Sequence, residues 1–205
     1  MSHAPQLSVA RRARNRLLKQ TGRWLGLIRP IPIPGHLSET EGSVLKWLAG
    51  RTTGPGVVVE VGAYKGRSTY YIASGLRSAA TRFYSIDTWN NEDMPDGVGR
   101  DFFEEYQRNI APWRDRIQPI RGDSVTVASS WSAPISLLFI DANHTYSAVK
   151  ADLRAWLPHL LPRAWVCCHD YTQPTCGVKQ AVDEDLVARC RLSDIIDSLF
   201  VGQIN

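Results

Sequence analysis

The stretch that most constrains the fold is residues 57–69, where an apolar strand pattern passes directly into a glycine-containing turn. Val57–Val61 is mostly β-branched and apolar, which is typical of a buried strand. Gly62 and Gly66 then bracket a short loop, and Ser68 begins a helical pattern. Glycine permits positive φ angles and lets a ligand approach the backbone amides closely. The stretch therefore predicts a strand, a tight loop and a helix start that together form the floor of a nucleoside-cofactor site.

Strand and helix patterns alternate along the rest of the chain. With 205 residues and 43% hydrophobic content, the chain is long enough for one domain with a substantial core. Ser38 and Glu41 match a capping box that opens the first helix of this domain, which we expect to span residues 38–205. The expected strands are residues 57–61, 82–86, 117–121, 135–140, 164–168, 191–196 and 198–204, and the expected helices are 38–50, 68–76, 101–110, 147–161 and 177–188. Repeated strand–helix units predict a mainly parallel sheet covered on both faces, and the last two strands add an antiparallel hairpin.

Residues 1–37 are expected to form a basic, proline-containing arm. Seven basic residues and no acidic residue precede Glu39, so the rest of the chain is mildly acidic and a nucleic-acid partner is not expected. The arm either packs on the domain or on a partner subunit of a homo-oligomer, or lies on an anionic membrane surface through Trp24, Leu25 and Ile28. The shortness of this apolar stripe favours packing over membrane contact.

Cysteine usage and hydropathy indicate a cytoplasmic protein. No apolar run approaches the length of a membrane span, and the N-terminal apolar run is too short for a secretory signal. The four cysteines do not form a spaced disulfide framework. Cys167 and Cys168 are adjacent in a strand and point to opposite faces, which argues against a shared zinc ion.

Carboxylates follow the expected parallel strands. Because ligands of open α/β sheets bind outside the carboxyl ends of the strands, these residues are candidates for a site. They are Glu60, Asp87, Asp123, Asp141 and Asp170. Asp87 is placed to accept hydrogen bonds from a ribose diol, and Asp123 with Ser124 to meet an adenine edge. The alternative for Asp87 is a turn residue, and the alternative for the other two is a helix cap.

Residues 58–69, VVEVGAYKGRST, resemble the first motif of class I S-adenosylmethionine-dependent methyltransferases. Later stretches resemble the branch of small-molecule and sugar O-methyltransferases with a domain of the methyltransferase 24 type. They are FYSID at 83–87, LFIDANH at 138–144, VKADL at 149–153, HDY at 169–171 and GVKQAVD at 177–183. This resemblance spans residues 38–204 and implies a Rossmann-like three-layer sandwich with a seven-stranded sheet.

The resemblance also implies roles for individual residues. His144 would be the general base that takes the proton of an acceptor hydroxyl, with Asp141 beside it. Asp141, His169 and Asp170 would hold Mg²⁺ or another divalent ion, although a histidine weakens the case for magnesium and leaves metal binding open. The residues expected to bind S-adenosylmethionine are Glu60, Gly62, Ala63, Tyr64, Gly66, Ser68, Asp87, Asp123, Ser124 and Asp141.

Two alternatives to a small-molecule O-methyltransferase stay open on the sequence. The first is a nicotinamide-dependent oxidoreductase, which the lack of a third loop glycine disfavours. The second is a catalytically silent cofactor-binding scaffold recruited through the basic arm, which His144 disfavours.

Overall fold

The fold is a seven-stranded sheet in the order β3-β2-β1-β4-β5-β7-β6. A computed structural model describes residues 9–25, 30–52, 54–90 and 100–205. The strands are β1 Val57–Val61, β2 Phe83–Asp87, β3 Ile117–Arg121, β4 Ile135–Ile140, β5 Leu160–Cys168, β6 Cys190–Ile196 and β7 Leu199–Ile204. The first five strands are parallel, and β7 pairs antiparallel with both β5 and β6. The predicted fold class is confirmed.

Helices cover both faces of the sheet. They are α1 Val9–Trp24, α2 Glu39–Ala49, α3 Arg67–Gly75, α4 Phe103–Ile110, α5 Ser124–Ser129, α6 Tyr146–Trp156 and α7 Val178–Asp185. Side chains of a strand alternate between faces, so Val58 packs in a core with α2, α3 and α4, whereas Val59 packs in a second core with α5, α6 and α7. This gives the three layers that the sequence predicts.

The capping box at the start of α2 is present as predicted. The backbone N–H of Glu41 donates to Ser38 Oγ at 3.2 Å, and the N–H of Ser38 donates to Glu41 Oε2 at 2.8 Å. The end of α6 differs from the prediction, because the helix stops at Trp156 and a 3₁₀ turn, Leu157–His159, leads into β5. Pro158 lies in that turn and has no N–H to continue the α-helical pattern.

Helix α1 lies against the C-terminal hairpin. Arg14 pairs with Asp194 at 2.8 Å, the Asn15 side chain donates to the carbonyl of Ile195, and Lys19 pairs with Asp197 at 2.7 Å. Residues 1–8 and 26–29 of the predicted arm, the latter including Ile28, lie outside the described residues, as do residues 91–99 of the long polar loop after β2. Within the described ranges, no helix combines the length and apolarity needed to cross a membrane.

Candidate functional site

A cavity of about 1140 Å³ opens at the carboxyl ends of the parallel strands. Its lining comes from the loops after β1, β2, β3, β4 and β5, and from the segment that enters α2. Parallel strands bring these ends to one edge of the sheet, which is where ligands of such sheets bind. Eight of the ten residues predicted to bind the cofactor line the cavity, and the exceptions are Glu60 and Gly66.

The loop after β1 is held by Asp87 at the end of β2. Asp87 Oδ2 accepts the N–H groups of Ala63 at 2.7 Å and Tyr64 at 2.8 Å, and Oδ1 accepts the N–H of Trp89 at 2.7 Å. Gly62 has a φ of 87°, and a Cβ there would lie 2.2 Å from the carbonyl oxygen of Asp141. The loop therefore passes close to the residue that follows β4. The contact of Asp87 with a ribose stays a prediction.

Glu60 lies beneath this loop, which corrects the expectation that it lines the cofactor cavity. Its side chain is buried in the sheet, and Oε2 accepts the hydroxyls of Thr69 at 2.5 Å and Ser85 at 2.7 Å. Burial raises the pKa of Glu60 to about 7, against the opposing effect of these hydrogen bonds. Gly66 is also displaced from the cavity, because it starts α3 against Ile110 and Tyr106 of α4.

The residues predicted to meet the adenine edge also cap a helix. Asp123 Oδ1 accepts the N–H and the hydroxyl of Thr126, both at 2.8 Å, and Ser124 Oγ accepts the indole N–H of Trp156 at 2.8 Å. Asp152, a buried residue that lines this part of the cavity, was not among the predicted site residues. Burial raises the pKa of Asp152 to about 6. An acidic residue on the apolar stripe of α6 was the available signal.

Two carboxylates and two imidazoles meet where β4 and β5 end. His144 Nε2 lies 3.3 Å from Asp141 Oδ1 and 3.2 Å from Asp170 Oδ2. His169 Nδ1 lies 3.2 Å from the same oxygen of Asp141 and 3.5 Å from that of Asp170. Asp170 has a φ of 56°, so its backbone turns in the left-handed region directly after β5. Each of the two histidines therefore contacts both Asp141 and Asp170.

The electrostatics of this cluster favour an ionised Asp141. Burial raises the pKa of Asp141, but the charges and hydrogen bonds of His169 and His144 outweigh this effect and lower it. The hydrogen bond that Asp141 accepts from His144 raises the pKa of His144, against its partial burial. Burial lowers the pKa of His169, but Asp141, Asp170 and Glu41 together raise it.

The donors of this cluster fit a divalent cation. Asp141, His144 and Asp170 each offer one ligand atom, and these atoms lie within 4.8 Å of one another. Two carboxylates and one imidazole suit metals such as Mn²⁺, Zn²⁺ or Fe²⁺ better than Mg²⁺. The sequence analysis expected His169 rather than His144 in this set. His169 Nε2 instead faces Glu41 at 3.4 Å, so His169 lies behind the two carboxylates.

One wall of the cavity comes from the segment before α2. Arg67 Nε donates to the carbonyl of Leu37 at 2.7 Å, and its Nη1 donates to that of Ile33 at 2.7 Å. Arg67 therefore holds Gly35, His36 and Leu37 at the cavity.

In the sequence, Trp89, Trp113 and Tyr171 lie in or near loops at the ligand edge and are candidates for an acceptor wall, but the structure places them elsewhere. Trp89 is fully buried among Phe103 and Tyr106, Trp113 packs beside Tyr70, and Tyr171 bonds to Asp183. None of the three is among the described residues that line the cavity.

Comparisons with known proteins identify a methyltransferase domain in the chain. Residues 59–171 match the family model of a methyltransferase domain. An uncharacterized protein, y4gI of Sinorhizobium fredii, is 29% identical over 122 residues, which are 57% of this chain and 13% of that protein. The chain thus spans only a small part of this curated relative.

Solved structures share the fold at low sequence identity. An O-methyltransferase from Bacillus cereus in complex with SAH has a TM-score of 0.64 at 17% identity, covering 99% of this chain and 93% of that one. CalS11, a TDP-rhamnose 3'-O-methyltransferase of calicheamicin biosynthesis, has a TM-score of 0.61 at 17% identity, covering 97% of this chain and 96% of that one. At these identities the likeness establishes the fold.

Proposed function

The chain belongs to the methyltransferase-domain family, and on that premise we propose that it methylates a hydroxyl oxygen of a small-molecule or glycosyl acceptor with S-adenosylmethionine. The observation that carries the proposal is one cavity that joins the Gly62 loop to the pair Asp141 and His144. Methyl transfer between two bound molecules requires a donor site and a general base in the same cavity. The O-methyltransferases of similar fold support an oxygen acceptor.

The hydrogen bonds of His144 assign its tautomer. Asp141 and Asp170 accept hydrogen bonds when ionised, and both face Nε2, so Nε2 carries the hydrogen. Nδ1 of the neutral ring is then the atom that accepts the acceptor's hydroxyl proton. When bound, S-adenosylmethionine supplies a methyl group on a sulfonium. Asp141 and Asp170 stabilise the imidazolium that forms, and general base catalysis of this kind contributes about 10²–10⁴ in rate.

Asp141, His144 and Asp170 are the residues that would hold a divalent cation. Such a cation would lower the pKa of an acceptor hydroxyl. A cation-assisted route of this kind is an alternative within the proposal to His144 as the base, because a cation on Nε2 would take the place of the hydrogen there.

Calorimetric titration with S-adenosylhomocysteine and with NAD⁺, each with added Mn²⁺, Mg²⁺ or EDTA, tests the donor site. We expect S-adenosylhomocysteine to bind and NAD⁺ not to bind. Absence of S-adenosylhomocysteine binding under every condition would overturn the proposal, and binding of NAD⁺ instead would favour an oxidoreductase.

His144→Ala tests the base, with His159→Ala as a matched control because His159 packs beside Trp156 outside the cavity lining. Turnover is followed as S-adenosylhomocysteine released in the presence of a panel of phenols and nucleotide sugars. His144→Ala should lower kcat by about two orders of magnitude while leaving S-adenosylhomocysteine affinity within twofold. Loss of cofactor affinity in His144→Ala would make this residue structural.

Besides the small-molecule acceptor, helix α1 supports an anionic membrane surface as a second proposed partner. Homo-oligomerisation stays a prediction. The face of α1 away from the hairpin exposes 63% of Leu17 and 85% of Trp24. A basic helix with exposed Trp and Leu suits the interface of anionic lipid. Trp24→Ala should weaken co-sedimentation with phosphatidylglycerol vesicles. Trp47→Ala, which replaces an exposed tryptophan on α2, should not.

The four cysteines are free thiols, which supports a reducing, cytoplasmic compartment.

A further inference from the structure

Glu41 has more partners than a helix cap requires. Its Oε2 accepts the N–H of Ser38 at 2.8 Å, which completes the capping box. Its Oε1 accepts the N–H of Ser198 at 2.8 Å and the hydroxyl of Ser198 at 2.7 Å, in the turn between β6 and β7. The remaining contact of Oε2 is with His169 Nε2 at 3.4 Å. Glu41 is 2% exposed and His169 is 4% exposed, so the contact is shielded from water.

The hydrogens around His169 can be assigned from these partners. The hydroxyl hydrogen of Ser198 is donated to Glu41 Oε1, so Ser198 Oγ, 3.3 Å from His169 Nε2, is available as an acceptor. Glu41 Oε2 is an acceptor as well, because a buried carboxylate has no hydrogen to donate. Both neighbours of Nε2 therefore accept, and Nε2 must carry a hydrogen.

The other ring nitrogen of His169 faces the reaction centre. Nδ1 lies 3.2 Å from Asp141 Oδ1 and 3.5 Å from Asp170 Oδ2. It is buried, and within the described residues no neighbour meets the alignment of a hydrogen bond with it. The ring of His169 therefore lies between the two carboxylates that contact His144 and the carboxylate of Glu41.

We propose that Glu41 is a positioning residue of the methyl-transfer reaction, which acts through His169 to fix Asp141 and Asp170 around His144. The inference rests on the proposed function. Without a carboxylate acceptor at Nε2, the imidazole loses the contact that sets its orientation, and Asp141 and Asp170 lose a fixed neighbour. Glu41 reaches no reacting atom itself, since His169 stands between it and Asp141. Outer partners of this kind orient the groups that perform the chemistry.

The experiment compares wild-type protein with Glu41→Gln and Ser38→Ala. Glutamine keeps an oxygen acceptor for Ser198 or Ser38 but removes the charge that faces His169. Ser38→Ala is the matched control, because it removes the hydroxyl that accepts the N–H of Glu41 and leaves the contact between Glu41 and His169 unchanged. Each protein is assayed for S-adenosylhomocysteine affinity, for kcat and KM, and by ¹H–¹⁵N NMR of the histidine rings without cofactor.

We expect kcat of Glu41→Gln to fall by about 10–100-fold, with S-adenosylhomocysteine affinity within twofold of wild type and displaced ring resonances of His169. Ser38→Ala should keep kcat within twofold and leave those resonances in place. A kcat of Glu41→Gln within twofold of wild type, or an equal loss of kcat in Ser38→Ala, would overturn the inference.

Ser198→Ala provides a second variant if Glu41→Gln does not fold. It removes one acceptor of Nε2–H and one hydrogen bond to Glu41, so a reduced kcat with displaced His169 resonances is expected. Unchanged kcat and resonances would count against the inference. If the wild type binds no S-adenosylhomocysteine, the proposed function fails instead. The NMR comparison then still decides whether Glu41 sets the orientation of the His169 ring.

Discussion

Replacing Glu60 with glutamine should change how the stability of the protein depends on pH. The carboxyl group lies under the cofactor loop, accepts two hydroxyls through Oε2, and has no hydrogen-bond partner for Oε1 among the described residues. Burial of a charge without a compensating cation favours the neutral acid, and the pKa of Glu60 is raised from 4.5 to about 7. Glutamine keeps the shape and one oxygen acceptor but has no charge to bury.

The magnitude follows from the linkage between protonation and folding. Below pH 4.5 the acid is protonated in both states and costs nothing. Between pH 4.5 and 7 the unfolded chain releases this proton while the folded protein retains it, so the free energy of unfolding falls as pH rises. Each pKa unit corresponds to about 1.4 kcal/mol, so the wild type should lose about 3 kcal/mol over this range through Glu60. Glu60→Gln should not show this loss.

The assay is urea unfolding of both proteins at pH 4.5, 6 and 8 in the absence of cofactor, followed by tryptophan fluorescence. The stability of Glu60→Gln relative to wild type should increase by about 3 kcal/mol between pH 4.5 and 8. Titrating groups that the two proteins share contribute equally to both free energies of unfolding, so their contributions cancel in the difference. A difference that stays constant within 0.5 kcal/mol, about the error of such comparisons, would refute the conclusion that Glu60 is held neutral.

Three further predictions concern the cavity. Gly62→Ala should destabilise the protein by about 2 kcal/mol or more in urea unfolding, because its Cβ would lie 2.2 Å from the Asp141 carbonyl oxygen at a φ of 87°; a loss below 0.5 kcal/mol would contradict this geometry. The raised pKa of His144 predicts that kcat rises with pH through a midpoint above 6.5, since the base is active when deprotonated. Asp141→Asn should move this midpoint to lower pH. A midpoint unaffected by the substitution would exclude the pairing of His144 with Asp141. Arg67→Ala should speed amide hydrogen exchange across residues 31–37, which lose their bonds to the guanidinium, and unchanged exchange would show that other contacts hold this wall.

Much of the fold could be predicted because local patterns and tertiary packing agree. β1, β3 and β4 occupy the predicted ranges. β1 and β4 are buried parallel strands with nearly continuous apolar sequences, whereas β3 is a partly exposed edge strand. The predicted end of α6 was wrong because the apolar pattern continues past Pro158 into β5, and apolar runs alone do not separate a helix from a buried strand.

The site was predictable where residues follow strand ends and not where distant segments meet. Asp141 and Asp170 follow β4 and β5, so topology alone brings them together. Glu41 was identified as a helix cap, but its contact with His169 joins residues 128 positions apart, which no local pattern shows. Trp89 was considered for an acceptor wall because it lies in a loop, yet it packs inward with a φ of 56°.

The two roles considered for His144 compete for one proton. As a base, the ring holds its hydrogen on Nε2, where Asp141 and Asp170 accept it, and Nδ1 is free to take a proton. As a metal ligand through Nε2, the ring must give up that hydrogen, and the neutral tautomer then carries it on Nδ1. A divalent cation bound through Nε2 would therefore remove the base that the carboxylates create. His169 does not replace that base, because its Nε2–H is committed to Glu41 and Ser198. A cation bound through His144 Nε2 and a His144 base are thus mutually exclusive, and Mn²⁺ bound in this way should inhibit the enzyme if His144 accepts the proton.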